Sequence, residues 1–168
     1  MKRAAARIKL PPIPADVTEL KFTEFFAPIG DRGLEYSEKL KSLEGKRVRI
    51  LGYMIQSETP APGILMLSPV PMTLHETEYG HGDDLPVTIA HVFVPKNRDK
   101  AVPFTPGQLL LTGKLETGPR EEADGRISTV RLLLDPPNKS ARAKKLSSTK
   151  SPNNRTASPK TAANNASR

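Results

Sequence analysis

The feature that most narrows the fold is a series of five short extended runs within about ninety residues, Leu43 to Asp135, with little helical patterning between them. The first run, KRVRILGYMIQ, spans Lys46 to Gln56. Arg47 and Arg49 alternate with Val48 and Ile50, which predicts a half-buried strand. After Leu51 the apolar residues occupy both faces around Gly52, which suits a bend where one strand passes between two sheets. ETPAPG at 58–63 is a turn signal, and GILMLSPV then gives a short apolar strand. LPVTIAHVFVP, Leu85 to Pro95, alternates again, with Val87, Ile89, His91 and Phe93 on one face and Phe93 assigned to the core. GQLLLTGKLETG carries a second internal glycine, Gly113. REEADGRISTVRLLLD places Asp124-Gly125 between two extended runs, a hairpin signal. The fold class expected is all-β: a small five-stranded OB-like barrel, with a small sandwich as the runner-up.

The barrel is expected over residues 43–137, followed by an abrupt stop at Pro136-Pro137. Residues 1–42 form an N-terminal extension. Within it Leu20, Phe22, Phe25 and Phe26 make an apolar patch that must dock on something. Leu34, Ser37, Leu40 and Leu43 stand at helical spacing and predict a short helix. Residues 138–168 contain eight Lys/Arg and no Asp/Glu, which accounts for the entire formal charge of +8. This tail has one large apolar side chain, a Leu, and cannot offset the entropy of ordering, so disorder is expected. Arg142, Lys144, Lys145 and Lys150 are its candidate contacts to nucleic acid or another polyanion. Such binding would be weak and nonspecific; the alternative is a solubilising terminus.

With no cysteine, disulfides, zinc–thiolate sites, iron–sulfur clusters and a cysteine nucleophile are excluded. No segment approaches the length of an apolar membrane span. The basic start MKRAAARIKL lacks a signal-peptide apolar run, so the chain as written is expected in the cytoplasm, or exported if its true start lies upstream.

The stretch LHETEYGHGDD, Leu74 to Asp84, concentrates His, Glu and Asp. Imidazole and carboxylate together suit a divalent transition metal, and His75, Glu78, His81 and Asp84 are the candidate ligands. Glu76 and Asp84 could also pair as acid and base. The competing reading is a surface connection, its acids bracing turns and Gly80 and Gly82 loosening it. HETE is not H-E-x-x-H, and no P-loop, G-x-S-x-G or dinucleotide fingerprint is present.

Leu43, Gly45, Lys46, Val48, Gly52, Tyr53 and Met54, followed by a strand ending V-x-V-P and by G-x-L-x-x-x-G-x-L, resemble a group of uncharacterised bacterial domains with an OB-like barrel. The resemblance covers about Leu43 to Asp135 and implies a fold without an activity. Many of those domains carry Cys and His after the second strand; here Thr73 to Asp84 carries His, Glu and Asp.

OB-type barrels often bind single strands on basic, aromatic grooves. Residues 43–137 hold ten Lys/Arg against twelve Asp/Glu, no Trp, and only Tyr53, Tyr79, Phe93 and Phe104 as aromatics. Lys46, Arg47 and Arg49 offer one modest basic edge. The function expected is therefore a non-enzymatic binding or accessory module, with a protein or small ligand at a barrel rim that includes residues 73–85. Metal binding through the acidic loop and nucleic-acid binding through the tail are the alternatives.

Overall fold

A computed structural model describes residues 9–76 and 85–136, all within one unit of the chain. The elements in order are β1 (Thr18–Glu19), α1 (Glu38–Leu43), β2 (Arg47–Met54), β3 (Gln56–Ser57), β4 (Ile64–Ser68), β5 (Thr73–Leu74), β6 (Ala90–Phe93), β7 (Gln108–Glu121) and β8 (Ile127–Leu134). Five of these close a ring in the order β2-β4-β6-β8-β7 and back to β2. All neighbours are antiparallel except β6 and β8, which run parallel through His91↔Arg131 to Phe93↔Leu133. The small all-β barrel read from the sequence is the fold of the chain.

Closure depends on β2 pairing along both of its edges. One edge pairs with β7 from Arg47↔Lys114 to Tyr53↔Gln108, and the other pairs with β1 at Val48 and Arg49 and then with β4 through Tyr53↔Ser68 and Met54↔Leu67. Gly52 lies just before the pairing with β4 begins. A Cβ there would meet Phe22 Cε2 and the Ser68 carbonyl at 2.8 Å. The mid-strand glycine marks the bend because three pieces of chain converge on it.

The core contains Val48, Ile50, Leu65, Leu67, Ala90, Val92, Leu115, Val130 and Leu132. Leu20, Phe22, Phe25, Leu40 and Leu43 belong to the same cluster. The phenylalanine patch thus docks on the barrel itself, and Phe25 is fully buried. β1 pairs in parallel with β2, and the Tyr36 hydroxyl donates to the Thr129 carbonyl at 3.2 Å. The helix is shorter than the spacing predicted. Ser37 is its N-cap, accepting from the Leu40 amide at 3.0 Å, and Leu34 is exposed. A side-chain oxygen at that position satisfies an otherwise orphan amide, so Ser37 starts the helix and is not part of its apolar stripe.

The run 85–95 yields a strand only at Ala90–Phe93. Ala90 and Val92 face the core, while Phe93 is half-buried beneath the Arg120 guanidinium. Phe93 therefore belongs to the outer face, and its assignment to the core is corrected: alternation gives two faces without saying which is inside. Asp124-Gly125 does sit in the turn joining β7 to β8. There Gly125 has φ 79° and Asp124 Oδ1 accepts from the Arg126 amide at 3.1 Å.

A second apolar cluster of Ile55, Met66, Leu74 and Ile89 lies on the outer face of β4 and β6. It is held by the two-residue parallel pairing of β3 with β5. No helix among the described residues is long and apolar enough to cross a membrane.

Candidate functional site

Two of the three residues of the expected basic edge, Arg47 and Arg49, are already neutralised, and Lys46 alone is exposed without an ion pair among the described residues. Arg49 is buried and gives Nε and NH2 to Glu19 at 3.2 and 2.7 Å, with NH1 to the Pro11 carbonyl at 2.7 Å. Arg47 is clamped between Asp16 and Asp135, which hold its pKa above the ordinary value. Alternation alone puts Arg49 in solvent, but the N-terminal segment covers it.

Of the four proposed metal ligands only His75 is described. It is exposed, with Nδ1 3.3 Å from Glu58 Oε1. Glu78, His81 and Asp84 lie outside the described residues, as do Arg142, Lys144, Lys145 and Lys150. No group of three His, Asp or Glu that could hold a metal occurs among the described residues.

Glu76 has a structural task. Its carboxylate is buried and forms an ion pair with Arg126, on the turn between β7 and β8. Its Oε2 accepts from Ser57 Oγ at 2.7 Å, from the Thr59 amide at 2.9 Å and from Thr59 Oγ1 at 2.8 Å. Arg126 also reaches Asp124 at 2.7 Å, and burial pushes its guanidinium below the ordinary pKa. Three connections, after β3, after β5 and after β7, are tied together at this point.

His91 is buried on the outer face of β6, and neither ring nitrogen has a hydrogen-bond partner. Burial lowers its pKa below the ordinary 6.5; Glu122 and Asp124 oppose the shift, and Arg131 and Arg120 add to it. The native state thus keeps the imidazole neutral where the unfolded chain would take up a proton. The sign follows: this contribution is whole above pH 6.5 and is lost as pH falls from there through the native pKa. His91→Gln should flatten that part of the stability profile. Urea unfolding from about pH 7.5 to pH 5 checks it, and an equally steep loss in both proteins would refute it.

The neighbouring Arg131 serves the fold. It donates to the carbonyls of Thr117 and Gly118 at 3.0 and 2.7 Å, at the bulge between Thr117 and Arg120 in β7.

A cleft remains at the rim, with a volume of about 430 Å³. Tyr53 and Gln56 come from the end of β2 and from β3, Met72 and Thr73 from the segment tied to them, and Phe104 and Pro106 from the β6–β7 connection. The Gln56 amide donates to the Met72 carbonyl at 3.0 Å, and Gln56 pairs with Thr73, so two of the walls form one unit. Phe104 is 45% exposed. The only ionisable side chain among the described lining residues is the Tyr53 phenol.

No family model, no curated protein and no solved structure matches this chain. The rim expected from the sequence, residues 73–85, meets this cleft only at Thr73 among the described residues. Tyr53 and Phe104, some fifty positions apart, give no local pattern that joins them.

Proposed function

We propose that the chain is a non-catalytic binding module that grips an extended, uncharged segment of a partner protein in the rim cleft. The observation that carries this reading is an apolar cleft of about 430 Å³ flanked by Tyr53, Met72 and Phe104 and bordered by Pro71 and Pro106. Aromatic side chains beside rigid prolines suit a polyproline-like or extended strand, whose ordering entropy is already low. The Gln56 side chain and the Tyr53 hydroxyl supply neutral hydrogen bonds to its backbone.

The ring order and the parallel β6–β8 closure agree with a barrel of the OB type. Such barrels commonly bind along their second and third strands, between the loop that follows the first strand and the loop that joins the last two. In this chain the corresponding face is filled by Met66, Leu74 and Ile89, and the two loops are bridged by Glu76 with Arg126. Ligand contact is thereby moved to the rim, where the same covering segment contributes Met72 and Thr73.

Phe104→Ala and Tyr53→Ala test this against a panel of fluorescent proline-bearing apolar peptides. Both residues are at least partly exposed, so the variants should fold. For the best peptide found with the parent chain, each change should weaken binding about tenfold or more, as truncation of an aromatic anchor does. Unchanged affinity in both variants, or no peptide bound by the parent, would refute the reading.

A further inference from the structure

A different cavity, of about 310 Å³, opens beside β6 and shares no lining residue with the rim cleft. Its apolar wall is Phe93 and Leu133, paired across β6 and β8, with Val94. Leu133 is 36% exposed, so this wall is open to solvent. Two guanidinium groups complete it, and their situations differ.

Arg120 is fixed and compensated. Its guanidinium carbon lies 5.2 Å from the centre of the Phe93 ring. Its nitrogens meet Glu122 at 3.1 Å and Glu116 at 3.6 Å. Glu116 is further balanced by Arg131 at 3.6 Å. Arg98 is different: among the described residues no ion-pair partner faces it. Yet its backbone is held firmly. Gly63 donates to the Lys100 carbonyl at 3.0 Å and accepts from the Val94 amide at 2.8 Å, and the Asn97 amide donates to the Val94 carbonyl at 2.9 Å. Gly63 has φ 71°, and a Cβ there would come within 3.2 Å of Arg98 Cα, so the turn and its support are packed backbone to backbone. The result is one planar, two-pronged cation with no ion-pair partner among the described residues, on a stiff turn, beside an apolar wall and the guanidinium that lies over Phe93.

We infer that this cavity binds a small aromatic carboxylate, with the ring against Phe93, Leu133 and the Arg120 guanidinium plane and the carboxylate on Arg98. A carboxylate matches the fork of a guanidinium in a two-bond pair. A flat ring gains from the guanidinium face as an aliphatic one does not. A single negative charge is favoured over a phosphate dianion, because Glu116 and Glu122 stand close by and only Arg98 is unspent. The volume suits a one-ring ligand.

The test is an amide NMR titration of the full chain with benzoate, benzamide, cyclohexanecarboxylate and phenyl phosphate. Benzoate should move the amides of Gly63, Val94 and Arg98 saturably. Benzamide and cyclohexanecarboxylate should bind about tenfold more weakly or worse, and phenyl phosphate more weakly than benzoate. Arg98→Gln, an exposed change, should remove the preference for benzoate over benzamide while leaving the rest of the spectrum in place. Absence of a saturable benzoate shift at these amides, tighter binding of phenyl phosphate, or unaltered benzoate affinity in Arg98→Gln would each overturn the inference. None of these outcomes bears on peptide binding at Tyr53 and Phe104.

Discussion

Glu76→Ala should destabilise the barrel by about 3–5 kcal/mol, the range for removing one member of a buried ion pair. The side chains of Glu76 and Arg126 are only 2% and 9% exposed, so solvent screens little of the interaction. Removal of the carboxylate leaves a buried guanidinium with Asp124 as its remaining partner. It also removes the acceptor shared by the Thr59 amide and the hydroxyls of Ser57 and Thr59, three donors on one oxygen, although the amide keeps Ser57 Oγ at 3.2 Å. Glu76→Gln should cost less, since an amide oxygen can still accept from Thr59. The double change Glu76→Met with Arg126→Leu should recover much of the loss, because replacing both members by apolar groups removes the desolvated charge. Urea unfolding of the four proteins checks the order. If Glu76→Ala cost under about 1 kcal/mol, the pair would be a surface contact and not a tie between three loops.

These two side chains also show where sequence reading stopped. The five strands, the hairpin turn at Asp124-Gly125 and the mid-strand glycines were visible because period two and turn chemistry are local. Glu76 was read as part of an acidic loop because its neighbours are acidic; its partner lies fifty positions on, in a turn that looked equally solvated. Arg49 was placed in solvent by alternation, which is blind to the residues 11–19 that cover it. Both errors have one physical cause. A charged side chain buried against the outside of a small barrel is defined by its counter-charge, and no periodicity reports on a counter-charge brought from a distant segment. The candidate clefts were hidden for the same reason: Phe104 meets Tyr53, and Arg98 meets Phe93 and Leu133, only after the ring closes.

Gly113→Ala tests that closure directly and should cost about 3 kcal/mol or more, at the upper end of overpacking changes. A Cβ at Gly113 would lie 2.1 Å from the Leu133 carbonyl oxygen, 2.7 Å from its carbon and 3.0 Å from Leu134 Cα. All three atoms are backbone, and no side-chain rotation relieves the contact. Gly113 pairs with Val48 on one side and Leu134 on the other, so displacement of Leu133 pulls β8 away from β7 next to the seam with β2. Gly52→Ala should cost less, about 1–2 kcal/mol. Two of its three close neighbours, Phe22 Cε2 and Leu67 Cγ, are side-chain atoms that can turn aside, and only the Ser68 carbonyl is fixed. Gly30→Ala meets nothing within 4 Å and should change stability by no more than about 0.5 kcal/mol. The three substitutions add the same methyl group, so their ranking in urea unfolding reads how closely, and how rigidly, each position is surrounded. A Gly113→Ala protein as stable as Gly30→Ala would mean that β7 and β8 do not approach so closely, and the barrel would then be open at that seam.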